Sequence, residues 1–327
     1  MGASAYEPIN VYKPLAPDIG IVEGPFEYLT VGGIRLPLPF TTRMTVVRLS
    51  NGDLFLHSPI KLDERLAQQI RGLGTVRHLV SPNQFHYAHI GEWARAFPET
   101  IAWASPRVRH RARARRVDID FARDLDASAP HEWREEIDQL LFPGGYFKEF
   151  IFFHKASKSL ILTDTVINIE LDKISEPWRT ATKLTGMYHP YGEVFFGMRL
   201  PLLFRQRKAK AAIGKIHSWQ PQRIVLSHGR CFDEDADKVI QRIFGAPPQS
   251  GRLTRGERFA LARSRTEEPQ DTYAPHNGLL LECRSWLSRE GLDHRQQPTR
   301  RRHRICSIAV VQNFRSGHSC DLPKDYW

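Results

Sequence analysis

The chain is short of the features that most readily announce a function. Its 327 residues include only four cysteines, Cys231, Cys283, Cys306 and Cys320, and no two form a Cys-x-x-Cys pair. Neither a cysteine-type structural zinc site nor a disulfide framework is therefore signalled, and a cytoplasmic, reducing compartment is the default expectation. Long apolar runs are also missing. The longest, Val194 to Phe204, is interrupted by Arg199 and Pro201, and it reaches roughly half of the ~20 residues that a membrane-spanning helix requires. Met1 to Asp18 has no apolar core of signal-peptide type, and Tyr6 stands where a myristoylation signal needs Ser or Thr. The formal net charge of +11 invites a nucleic-acid reading. The basic runs, however, lack interleaved aromatics and any recognisable nucleic-acid module, so no specific nucleic-acid partner is expected.

What remains is ordinary globular composition, 41% hydrophobic and 25% charged, enough for one large core or two modest ones. The positive excess is concentrated in Arg107 to Arg116 and in the C-terminal part. A boundary is expected at Gly245-Ala-Pro-Pro-Gln-Ser-Gly251, where a helix-like run from Asp233 to Phe244 meets a Gly/Pro cluster. This divides the chain into a folded domain over 1–248 and an irregular, Arg-rich tail over 249–327 that does not fold alone. Lys324 is the tail's only lysine, and Arg300-Arg-Arg-His-Arg304 is a charge run without a core.

Within 1–248 the pattern alternates between strand and helix. Met44 to Ser50 and Asp53 to Ser58 flank Asn51-Gly52, a strong hairpin signal. Leu62, Leu66 and Ile70 recur at helical spacing, Val76 to Ser81 reads as a buried strand, Ile90 to Ala96 as a helix and Ile101 to Ser105 as a strand. Arg107 to Arg116 reads as an exposed helix. Lys148 to His154 and Ser159 to Thr163 form a second strand pair around the polar turn Lys155 to Lys158. Leu202 to Trp219 reads as one basic helix, and Arg223 to Ser227 as a strand ending at His228-Gly229.

Three strand ends thus deliver polar residues to loops. Ser81-Pro-Asn-Gln-Phe-His-Tyr-Ala-His-Ile-Gly91 carries His86 and His89, Asp164 follows the second strand of the later pair, and His228 follows the last strand. Imidazoles and a carboxylate are first-choice ligands for zinc or iron, and together they would hold a catalytic ion. Taken singly, each is more often a turn former or a helix cap.

In this order of pieces the chain resembles an uncharacterised domain-of-unknown-function family within the metallo-β-lactamase-like superfamily, over about Val11 to Phe244. The superfamily pattern has an N-terminal hairpin, a strand running into His-x-His-x-Asp-His, a later Gly-His, a Leu-x-x-Gly-Asp and a final His-Gly. These fall on Asn51-Gly52, Gln84 to His89, Pro143-Gly-Gly145, Ile161 to Asp164 and Ser227 to Gly229. The resemblance implies an α/β fold of αββα type, two mixed sheets flanked by helices. It also implies a degenerate site: Gln84 and Gly145 occupy two histidine positions of the first metal, and Ala88 that of an aspartate. His86, His89, Asp164 and His228 remain as ligands for a single zinc or iron ion.

Such an ion would lower the pKa of a bound water and polarise an ester, thioester or lactone bond in a small-molecule substrate. With Ala88 in place of the aspartate, His57 or His86 is the expected catalytic proton acceptor, and Asn83 the residue that orients substrate or a ligand imidazole. The alternative is a non-catalytic relative of the fold, acting as a binding or scaffold protein.

Tyr188 to Phe204, followed by Arg205 to Lys210, joins an aromatic apolar segment to a basic helix start. Residues 188–210 could cover a substrate or rest on a membrane surface; buried core or self-association is the plainer use.

Overall fold

The computed structural model of the chain describes residues 4–31 and 34–246, which fall within one compact unit. The expected tail 249–327 lies outside the described residues. In chain order the elements are β1 (Tyr12–Ala16), β2 (Ile19–Glu23), β3 (Glu27–Val31), β4 (Ile34–Phe40), β5 (Arg43–Arg48), β6 (Asp53–His57), α1 (Glu64–Leu73), β7 (Thr75–Ser81), α2 (Ile90–Ala96), β8 (Ile101–Ala104), α3 (Val108–Ala114) and β9 (Arg123–Asp124). They continue as β10 (Ile137–Phe142), β11 (Glu149–His154), β12 (Ser159–Leu162), β13 (Val166–Ile167), α4 (Trp178–Thr185), β14 (Glu193–Val194), α5 (Phe196–Phe204), α6 (Gln206–Ser218), β15 (Arg223–Leu226) and α7 (Ala236–Phe244).

Two mixed sheets follow from these strands. The first has seven strands in the order β1-β2-β5-β6-β7-β8-β9, antiparallel as far as β6 and parallel beyond it. The second has four, β10-β11-β12-β15, with β15 parallel to β12. Alternation along each strand assigns its side chains to layers. Phe55, Val80, Phe150, Phe152 and Ile161 meet between the sheets with Trp103 and Trp133. Their neighbours Leu54, Leu56 and Leu79 turn outward onto Leu66 and Ile70 of α1 and Trp93 of α2. On the other flank Ile151, Phe153, Leu160 and Leu162 meet Ile216 of α6 and Ile240 of α7. Strands buried on both faces need continuous apolar runs, which is why β11 reads Glu-Phe-Ile-Phe-Phe-His without a polar alternation. The architecture is the expected αββα sandwich.

Local signals account for most boundaries. Asp63 caps α1 by accepting from the Leu66 amide at 2.8 Å. The hairpin at Asn51-Gly52 closes a three-residue loop: the Leu49 amide donates to the Asp53 carbonyl at 2.8 Å, and Gly52 takes φ +88°. The single basic helix expected over Leu202 to Trp219 is instead two. Arg205, at φ −117° and ψ 33°, separates α5 from α6, and Pro201 leaves α5 without one amide donor.

Candidate metal centre

Sheet register brings two of the three polar strand ends together. In the parallel pair of β12 and β15, Leu162 lies opposite Leu226, so Asp164 and His228, each two residues further on, leave neighbouring strands side by side. His86 arrives from the other sheet, in the loop after β7. Asp164 Oδ1 stands 3.1 Å from His228 Nε2 and 3.4 Å from His86 Nε2, and the two Nε2 atoms are 3.3 Å apart. The three ligand atoms form a nearly equilateral triangle.

Each member of the triangle is held from behind. The Nδ1–H of His228 donates to the Thr41 carbonyl at 2.6 Å, which leaves Nε2 bare in the neutral ring. Nδ1 of His86 lies 2.6 Å from Ser58 Oγ. Asn83, almost fully buried, donates from Nδ2 to Asp164 Oδ2 at 2.7 Å and to Thr163 Oγ1 at 2.9 Å, while its Oδ1 accepts from the amides of Phe85 and His86. The His228 loop is fixed by Arg43, whose guanidinium donates to the Leu226 and Gly229 carbonyls and pairs with Glu23 at 2.8 Å. Gly229 takes φ +85°, and a Cβ there would stand 2.1 Å from the Asn168 carbonyl oxygen, so only glycine fits.

Behind Asp164 lies a second carboxylate. Glu149 is fully buried and accepts from the amides of Thr163, Asp164 and Thr165 at 2.6–2.8 Å. Burial first, and then the facing Asp164, pushes Glu149 up to about 7. Burial also works against the charge on Asp164, but His86 and His228 outweigh it and hold that carboxyl well below the usual carboxylate range. Of the two carboxyls, Asp164 is therefore the one that ionises more readily.

The other sequence-predicted residues go elsewhere. His89 is not brought to the triangle: its Nε2 lies 2.7 Å from Glu27 Oε1 and its Nδ1 2.8 Å from Glu92 Oε1. Burial lowers its pKa, yet the two carboxylates prevail and raise it to about 9, so His89 is an imidazolium. His57 is fully buried at the end of β6 with neither ring nitrogen hydrogen-bonded, edge-on to Phe152. Burial, helped by nearby His86, lowers it to about 3. Asn83 faces Asp164 rather than open space. Gln84, at one histidine position of the superfamily pattern, donates from Nε2 at 2.8 Å to the carbonyl of Tyr146, the residue after Gly145 at another.

Ser58, Thr41, Glu149 and the Arg43–Glu23 pair escape sequence reasoning. Three of them left a trace, since Glu149, Arg43 and Glu23 are charges within otherwise buried strands. Thr41 and Ser58 left none.

Beside His86 is a small cavity lined by His86, His89, Ser58, Arg43, Glu27 and Tyr87, among others. The triangle itself is nearly closed off, with side-chain exposures of 7% for His86, 18% for Asp164 and 3% for His228.

Residues 32–177 match the model of a family described as a domain of unknown function, DUF4336. No curated protein is similar to the chain by sequence. Among solved structures, the metal-soaked Flv1 flavodiiron core from Synechocystis sp. PCC6803 is similar with a TM-score of 0.50 at 10% identity, over 75% of this chain and 60% of that one. The metallo-β-lactamase DIM-1 gives a TM-score of 0.47 at 14% identity, over 72% of this chain and 95% of that one. Rubredoxin oxygen:oxidoreductase from Desulfovibrio gigas gives 0.49 at 13%, over 72% of this chain and 61% of that one. At these identities the likeness is one of fold alone, that of the two-sheet sandwich flanked by helices.

Proposed function

We propose that the chain is a mononuclear metal-dependent hydrolase of a small-molecule ester, thioester or lactone, with His86, Asp164 and His228 as the ligands of one zinc or iron ion. The observation that carries the reading is the triangle of ligand atoms with edges of 3.1–3.4 Å. Ligands about 2.0–2.1 Å from a tetrahedral zinc ion stand about 3.3–3.4 Å apart. Two imidazole nitrogens and a carboxylate oxygen at that spacing can all turn lone pairs inward only toward a cation, whereas a neutral ring that donates its own Nε2–H would make the same contacts without one. The donor set suits the ion, and the Thr41 carbonyl supports His228 from behind in the manner usual for metal-binding imidazoles.

An ion in this position supplies Lewis acidity toward a carbonyl oxygen and toward water. The chain's own residues do the rest. His86, Asp164 and His228 would hold the ion, and Asn83 fixes the rotamer of Asp164. Arg43 and Gly229 hold the loop of His228. Ala88 offers no base beside the ligands. His57 cannot serve as one, being enclosed and held neutral down to about pH 3. Proton transfer therefore falls to solvent or to the ligand residues themselves, and slow turnover is expected. His89, committed to Glu27 and Glu92, is left out of the ligand set.

A second reading is a non-catalytic binding protein in which the cation among the three ligand atoms is a shared proton. The near-closure of the triangle and the absence of a free base favour it. Metal analysis of full-length protein purified without chelator separates the two. About one zinc or iron per chain, lost in His228→Ala with the thermal transition retained, supports the hydrolase; chelator-sensitive hydrolysis across an ester, thioester and lactone panel completes it. No metal after reconstitution with either ion overturns it in favour of the second reading.

A further inference from the structure

Helix α5 turns bulky apolar side chains to solvent. Phe196, Leu200, Leu203 and Phe204 are all exposed, Phe204 to 82%. At 3.6 residues per turn these four fall within an arc of about 100°. Met198, on the opposite side, is fully buried in the core behind the second sheet. One face of the helix is thus spent on packing, and the other forms a continuous apolar stripe in water.

The stripe ends at Arg205, and there it meets a recess lined by Lys148, Arg205, Lys208 and Lys215, whose remaining walls are leucine, alanine and proline. No carboxylate lines the recess, and none of these four cations makes an ion pair among the described residues. Their crowding is visible at Lys148: burial first, and then Arg205, Arg107 and Lys208, lowers the pKa of its ammonium group.

We propose that the α5–α6 junction docks this protein on an anionic phospholipid surface, with Lys148, Arg205, Lys208 and Lys215 meeting phosphate headgroups while Phe196, Leu200, Leu203 and Phe204 enter the acyl boundary. A stripe of Phe and Leu continuous with a group of cations matches an interface that is itself apolar below and anionic above. The other occupants fit only part of the surface. A nucleic acid would satisfy the cations and leave the stripe in water. A second copy, related by a two-fold axis, would bury the stripe but bring two cationic recesses near each other. The chain's own segment 249–327 is rich in arginine and carries the same sign as the recess.

The test is cosedimentation of the full chain with phosphatidylcholine vesicles, with and without about one third phosphatidylserine, paired with amide hydrogen exchange. The expected result is binding at least tenfold stronger to the anionic vesicles, weakened by salt, with new protection over residues 196–208. Leu203→Ser/Phe204→Ser and Arg205→Glu/Lys208→Glu should each reduce binding at least tenfold without shifting the thermal transition, since all four side chains are exposed. Equal binding to neutral vesicles, no binding, protection confined to 249–327, or variants that bind as the parent does would each overturn the proposal. So would protection of the recess by inorganic phosphate alone at the same occupancy, which would assign it to a free anion. A vesicle-free dimer dissolved by Leu203→Ser/Phe204→Ser would assign the stripe to a second copy.

Discussion

Asn83 joins the two halves of the site through one side chain: its amide nitrogen donates to Asp164 Oδ2 at 2.7 Å while its amide oxygen holds the His86 turn. The contact links the loop after β7 to the end of β12, and so links the two sheets at the point where their ligands meet. Asn83→Ala is expected to leave the fold intact and to weaken zinc binding about 10- to 100-fold, the usual cost of losing a residue that orients a ligand. Competition with a chromophoric chelator measures this directly; unchanged affinity would sink the assignment.

Arg43 and Glu23 form an ion pair with side-chain exposures of only 3% and 5%. Removing one partner leaves the other charged and dry, so Arg43→Met should cost about 3–5 kcal/mol in urea unfolding. Arg43→Met/Glu23→Leu should recover most of that loss. It should not recover metal occupancy, because the Leu226 and Gly229 carbonyls lose their donor in both variants.

His89 makes stability depend on alkaline pH. Its pKa is raised from the ordinary 6.5 to about 9, so the folded state binds the proton more tightly than the unfolded one. The contribution is fully present below about pH 6.5 and is lost as pH rises through about 9, amounting to roughly 3 kcal/mol at most. His89→Gln should flatten the difference between unfolding free energies at pH 6.5 and pH 9.5. A variant with the same slope as the parent would place the dependence elsewhere.

His57 acts in the opposite direction. Held neutral down to about pH 3 by burial, it disfavours the folded state once the unfolded imidazole takes a proton. Stability from this source is present above about pH 6.5 and falls as pH drops toward 3, by about 2 kcal/mol between pH 7 and pH 5. His57→Phe keeps the ring in its apolar surroundings and should remove that share of the acid sensitivity, as read from urea midpoints at the two pH values.

Local patterns made the frame of the molecule readable. Apolar runs bounded by Asn51-Gly52 and by Lys155 to Lys158 located both strand pairs, and α2 begins and ends where Ile90 and Ala96 suggested. The three strand ends that carry His86, Asp164 and His228 were visible for the same reason. Partnership across long separations was not. Glu27, which engages His89, lies 62 residues before it, and Glu92 at i+3 does not by itself distinguish a ligand from an imidazolium between carboxylates. The direction of His57 depended on which face of β6 meets the second sheet. The break at Arg205 escaped because the residues on both sides of it favour helix.

The register of β12 against β15 bears on how such a site can change. Asp164 and His228 start from paired positions, Leu162 and Leu226, and everything from Thr165 to Gln222 is an excursion that leaves one strand and returns to its neighbour. The excursion can lengthen, shed helices or acquire new surfaces, α5 among them, while its two anchor points stay a strand's width apart. Variation in the accessory region is thereby uncoupled from the spacing of the ligands, so that a lineage can exchange the surroundings of the site without moving its centre.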